Sequence, residues 1–198
     1  MTQPLTKNYA QYLLEASLKL NPGKWGAHSY NVARAAACIA EKTVYLDSQT
    51  AYILGLLHDI GRRFGIGHIK HVYDGMMYME ELGYFDVAKV CLTHSFPIKN
   101  IASYNGAFDL PPDKIQCLEH RLQTVEYDDY DRLIQLCDAI GAADGFCVLE
   151  VRLIDVAIRN GINQYSVEKW KQFIYLKHYF DEKCHEDIYT LLGVYNKP

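Results

Sequence analysis

The chain has 198 residues, 49% of them hydrophobic and 22% charged, with a formal net charge of -4. That length fits one domain of about 100–200 residues with apolar material for its own core, so folding needs neither a disulfide framework nor a structural metal. The negative balance argues against general affinity for nucleic acid or an anionic membrane, yet leaves room for a small phosphorylated ligand held by a few local arginines or lysines.

In chain order, the opening MTQPLTKNYAQ lacks an apolar signal core. No stretch approaches the ~18 apolar residues of a membrane span, so the expected location is cytoplasmic. Tyr9, Tyr12, Leu13, Ala16 and Leu20 fall at helical spacing, and the helix stops at Asn21-Pro22-Gly23. A second helix is expected over 27–41, with Val32, Ala35, Ala36, Ile39 and Ala40 inward. Asp47 or Ser48 caps a third, which passes through Ala51, Leu54, Leu57 and His58 and ends at Gly61. The arginines and glycines of 62–67 read as a loop. The segments 71–82 and 85–93 read as a helix pair joined at Gly83, and 95–112 as irregular chain around Pro97, Gly106 and Pro111-Pro112. Further helices are expected over 113–125, 129–143, 150–160 and, with breaks, 167–192. Few windows alternate with period two, and there is no βαβ pattern, repeat or linker. The expectation is one all-α domain over 1–198. Its six cysteines form no C-x-x-C pair and sit mostly in apolar runs, as free thiols of a reducing compartment.

Chemistry concentrates at helix boundaries. The run from Leu54 to Leu57 is apolar and ends in His58-Asp59-Ile60-Gly61. Burying that imidazole and carboxylate is costly unless a partner or a metal satisfies them, although a His-Asp pair alone reads equally well as a solvated helix end. Further ligand-type residues stand at other boundaries: His28 opens the second helix, His71 opens another, and His94 closes one. Asp138 lies in the apolar stretch Leu136-Cys137-Asp138-Ala139-Ile140, where an acid needs either ligation or an ion pair, with Arg152 or Arg34 as the candidates.

The ordered pattern of His28, His58-Asp59 and Asp138 resembles the HD superfamily, over roughly 27–145. The string His58-Asp59-Ile60-Gly61-Arg62 is similar to its HDIG signature, with Arg62 where a lysine is common. His71 with Gly75 resembles the H-P-x-x-G element of the HDIG and HD-GYP branches, with Val72 in place of proline. His94 resembles the histidine on their following helix. A Gly-Tyr-Pro after the helix pair is missing, which argues against cyclic-di-GMP hydrolysis. The resemblance implies an HD-type helical bundle, completed here by helices over 150–192, that binds one or two divalent ions. Asp59 would bridge two ions, with His28, His58 and Asp138 around one and His71 and His94 on the other. His68, three residues before His71, is the competing ligand, and the spacing to Gly75 favours His71. Nitrogen and oxygen donors without thiolate suit Fe, Mn, Co, Ni, Zn or Mg.

Two ions about 3.5–4 Å apart can activate water and neutralise charge on a phosphoryl group; with one ion, Asp138 or a nearby histidine would position the water. Asp59, Asp138 and Arg62 are therefore the catalytic candidates. Arg62, Arg63 and Lys70 are the candidate substrate cations, with Lys99 behind them. Trp25, Tyr30, Tyr73 and Phe96 flank the ligands as stacking surfaces or core. His120, His178 and His185 lie in charged surroundings typical of a surface. The expected function is a metal-dependent phosphohydrolase for a nucleotide or another small phosphate ester. The ligand order is also similar to that of HD-type dinucleoside-tetraphosphate hydrolases. An HD-type di-iron oxygenase and a non-catalytic nucleotide receptor are the alternatives. The expected partner is a small phosphorylated substrate, with no general nucleic acid and no membrane. The Tyr-, Lys- and Glu-rich tail after Gly161 suits completion of the fold and a homodimer surface equally.

Overall fold

A computed structural model describes residues 4–196, so both ends of the expected 1–198 domain, including the first residues of MTQPLTKNYAQ, lie outside the described residues. The fold is all-α. Its helices are α1 (Lys7–Leu20), α2 (Trp25–Lys42), α3 (Ser48–Leu57), α4 (Lys70–Glu81), α5 (Phe85–Thr93), α6 (Pro112–Thr124), α7 (Asp129–Ile140), α8 (Leu149–Asn160), α9 (Ser166–Cys184) and α10 (Ile188–Leu191). Among the described residues the only sheet is a hairpin of Gly141–Ala142 against Gly145–Phe146. No described helix is long and apolar enough to cross a membrane. Among the described residues the six cysteines form no disulfide, with Cys91, Cys137 and Cys184 buried and Cys38, Cys117 and Cys147 partly so.

Local chemistry sets the helix starts. Thr6 accepts the Tyr9 amide to cap α1, and Asp47, not Ser48, caps α3 by accepting the Thr50 amide at 2.7 Å. Asp128 and Asp131 form a reciprocal capping box at the start of α7. The core is centred on α3, in which every residue from Ala51 to Leu57 is buried. Its neighbour α2 presents Val32, Ala33 and Ala36, all fully buried. These small residues allow a close crossing: a Cβ on Gly55 would lie 2.9 Å from the Ala33 Cα. Each fully buried Leu or Ile, such as Leu56, Leu57 and Ile60, contributes roughly 1.5–3 kcal/mol of burial.

Four stretches differ from the sequence expectation. Helix α3, expected to run through His58 to Gly61, ends at Leu57 with His58 as its C-cap. The 62–67 loop begins instead as a 3₁₀ turn, Ile60–Phe64, which stops at Gly65 with φ 119°. A 3₁₀ turn separates successive side chains by about 120°, and this decides where the two arginines point. Helix α7 ends at Ile140 rather than at residue 143, because Gly141 turns extended into the hairpin. The segment 95–112 contains a further 3₁₀ turn, Ile101–Ser103. Helix α8 is amphipathic in an inverted sense. Val151, Ile154 and Ile158 are exposed, at 62%, 58% and 80%, while Arg152, Asp155 and Arg159 turn toward a cavity.

Candidate metal centre

The ligand-type residues sit at helix ends, and two contacts bring those ends together. A Cβ on Gly61 would lie 2.0 Å from the His71 carbonyl oxygen and 2.5 Å from the Gly75 nitrogen. Neither glycine has a left-handed backbone; each is required because the 3₁₀ turn and α4 approach backbone to backbone, which sets His71 beside Asp59. The second contact fixes α5 against α7. Thr93 Oγ1 donates to Asp131 Oδ1 at 2.7 Å, and the Gln135 amide donates to the carbonyls of Thr93 and Phe96 at 3.1 and 3.2 Å. His94, between those two residues, is thereby held over the end of α3.

The four imidazoles share one arrangement. His28 Nδ1 meets the Gly141 carbonyl at 2.6 Å, His58 Nδ1 that of Gly55 at 2.7 Å and His94 Nδ1 that of Cys91 at 2.9 Å. His71 Nδ1 meets the His68 carbonyl. A carbonyl only accepts, so each Nδ1 carries the proton and each neutral ring turns an Nε2 lone pair inward. These lone pairs face other acceptors. His28 Nε2 lies 3.2 Å from His58 Nε2 and 3.0 Å from Asp138 Oδ1. His71 Nε2 lies 3.2 Å from His94 Nε2 and 3.1 Å from Asp59 Oδ1.

Acceptors converging at such distances repel unless a cation stands among them. Two ligand atoms in neighbouring positions on one ion, with bonds of about 2.1 Å, are separated by about 3.0–3.4 Å, close to the spacings above. Two groups result, His28–His58–Asp138 and Asp59–His71–His94, each with ligand atoms within 4.8 Å of one another. Asp59 joins them: Oδ1 faces His71 and His94 at 3.1 and 3.7 Å, and Oδ2 faces His58 at 3.9 Å. The donor set fits one or two divalent ions.

Electrostatics keep the carboxylates ionised. Burial alone would raise the Asp59 carboxyl, but the Arg62 guanidinium beside it outweighs that effect and holds the group well below the usual range. Asp138 is held low in the same direction when the facing His28 and His58 nitrogens carry a second proton, in the position that a cation would take. Its partners are these imidazoles, and no ion pair to Arg152 or Arg34 forms. Burial pushes the His94 imidazole down to about 3, so this ring stays neutral.

Five of the six candidate ligand residues, all but His58, line the floor of a cavity of about 650 Å³. Of the candidate substrate cations, only Arg62 reaches it; its Nε donates to Asp59 Oδ2 at 2.5 Å. The structure does not bring Arg63 there. One step further round the 3₁₀ turn, its guanidinium stacks 4.1 Å from the Tyr78 ring centroid. Lys70 pairs with Asp74 on a separate surface groove, and Lys99 lies near Glu126 at 3.5 Å. His71, not His68, stands with Asp59 and His94; His68 is exposed and supplies only its carbonyl. Trp25 lines the cavity, whereas Tyr30 and Tyr73 do not and Phe96 is buried core beside Tyr104.

Sequence reasoning missed the opposite wall. Tyr104 lines the cavity from the 95–112 segment, Arg152, Asp155 and Arg159 from α8, and Lys169 and Trp170 from α9. The placement of Arg152, Asp155 and Arg159 at i, i+3 and i+7 on one helix face is a signal that the sequence carries. Lys169, within Glu168-Lys169-Trp170-Lys171, offers none.

The HD domain family matches residues 25–143, more than half of the chain and the whole of the six-residue ligand set. No curated protein and no solved structure gives a match.

Proposed function

The chain belongs to the HD domain family, a family of metal-dependent phosphohydrolases, and on that premise we propose that it hydrolyses a small phosphate ester, with nucleotides as the leading substrate class. The observation that carries the reading is the pair of three-residue ligand groups joined through Asp59 and opening directly into a cavity with Arg62 at its edge. His28, His58 and Asp138 would hold one ion, and His71, His94 and Asp59 the other. When bound, the metal would supply positive charge to the phosphoryl oxygens and make the attacking water more acidic.

The remaining work falls to the chain. Arg62 is fixed at both ends, since Asn21 Nδ2 donates to its carbonyl at 2.6 Å and its Nε is held by Asp59. Its two terminal amino groups have no protein partner among the described residues, so they are free to bind two oxygens of one phosphoryl group. Burial raises the Tyr104 phenol, which keeps its hydroxyl protonated as a donor toward the same space. Leu153 and Phe173 give the wall an apolar section that limits the water around the reacting group.

The test is phosphate release from a panel of nucleotides and simple phosphate esters, with oxygen uptake recorded in parallel. Release that disappears in Arg62→Gln and Asp138→Asn supports the reading. Oxygen uptake without phosphate release would replace it with the oxygenase chemistry that the same ligand set also suits.

A further inference from the structure

The cavity wall opposite the ligands carries more positive charge than the reaction proposed above needs. Arg152 and Arg159 share one carboxylate, Asp155, at 3.2 and 2.8 Å. Lys24 and Lys169 line the same cavity and have no carboxylate within ion-pair reach among the described residues. Arg62 is held by Asp59 through its Nε, which leaves its terminal amino groups for the reacting phosphoryl group. One reacting phosphoryl group, held by Arg62 and the metal, leaves these four cations with a single acid between them.

Lys169 is the sharpest case. It is only 9% exposed, and its ammonium, with three donors, finds one acceptor, the Ser103 carbonyl at 3.3 Å. Burial pushes it down to about 8, with the Asp138 charge acting weakly the other way. An ammonium in that setting lacks a counter-charge, and the open side is the cavity. The start of α9 is held in place independently of any ligand, because Asn163 Nδ2 also donates to the Ala102 carbonyl at 3.3 Å. The wall also lies outside the segment matched by the family.

We propose that α8 and α9 add a second anion subsite to the metal centre, centred on Lys169, so that the substrate carries a further phosphate or carboxylate beside the phosphoryl group that reacts. The proposal rests on the phosphohydrolase reading for its reacting group, but not for its test. Arg152 and Arg159 stand on the neighbouring helix as its outer cations, and Asp155 holds them in place when no ligand is bound.

The test is calorimetric titration of the metal-containing protein with three probes that do not hydrolyse: methylphosphonate, methylenediphosphonate and phosphonoacetate. The wild type is expected to bind at least one of the two-anion probes roughly tenfold or more tighter than methylphosphonate. Which of the two binds tighter reports whether the second group is a phosphate or a carboxylate. Lys169→Met should abolish the preference and leave methylphosphonate affinity within roughly twofold. Its ligand-free melting temperature should equal or exceed that of wild type, since an under-partnered buried charge has been removed. If Lys169→Met does not fold, Lys169→Gln keeps a donor for the Ser103 carbonyl, and the same comparison is read on it. Equal weakening of all three probes, no weakening of any, or a lowered melting temperature in both variants would overturn the proposal. Phosphate release without a two-anion preference removes the subsite and keeps the hydrolase; the preference without phosphate release does the reverse.

Discussion

On the floor of the cavity, every imidazole has spent its proton on a backbone carbonyl and turns a lone pair inward. On the wall built by α8 and α9, the charged groups other than Asp155 are donors, and Lys169 reaches a single carbonyl. The floor therefore gathers acceptors that need a cation, and the wall gathers cations that need an anion. A second contrast lies within α7. Asp131 is fully buried, but Lys89 at 2.6 Å, Thr93 and the Asp128 amide complete its shell. Two turns on, Asp138 is faced by imidazoles. Burial of an acid does not by itself mark a site; the chemistry of its partners does.

The largest effect should come from the residue that joins the two ligand groups. Asp59→Ala is expected to lower phosphate release roughly a thousandfold or more, the scale of losing a main charge-stabilising group, and elemental analysis should show less metal. Next, Asp131 and Asp138 of α7 should separate. Asp131→Ala removes one of the two carboxylates facing Lys89 together with the Thr93 and Asp128 hydrogen bonds and should cost about 1–3 kcal/mol in denaturant unfolding, with metal content per folded chain kept. Asp138→Asn should do the opposite, losing metal while the unfolding midpoint moves little. Similar losses of metal from both would erase the contrast. A smaller difference is expected between neighbours on one face: His71→Ala should remove bound metal and His68→Ala should not. Metal loss from His68→Ala would return that residue to the ligand set.

The weakest expected effect is a pH dependence on the wall. Lys169 has a folded value of about 8, lowered from 10.5. Below pH 8 it is charged and attracts an anion, and above it the free protein loses that charge. Affinity for methylenediphosphonate should thus fall as pH rises beyond 8, and the slope should flatten in Lys169→Met. Parallel curves for the two proteins would detach the wall from anion binding.

The floor was legible in the sequence because its residues obey local rules. His58-Asp59 follows an apolar run that ends at Gly61, His71 and Gly75 carry the spacing of a family element, and Asp138 is an acid inside an apolar run. Each signal lies within a few positions of the residue it marks. The wall was not legible, for the converse reason. At the cavity edge Arg62 was legible as a candidate but not separable from Arg63, because only the 3₁₀ turn sends one to the cavity and the other onto Tyr78. Lys169 sits in a charged stretch that reads as a solvated face, and its burial arises from packing against the distant 101–103 turn. The family match covers the floor and stops before α8, so it added no information about the wall.

The central claim, a floor made of converging acceptors that holds metal, is tested most directly by elemental analysis of protein purified without added metal, wild type beside Asp59→Ala. The account predicts two equivalents of metal per chain in the wild type and their loss in the variant. A wild type that holds no metal, even after reconstitution with iron, manganese, cobalt, nickel, zinc or magnesium, would contradict it.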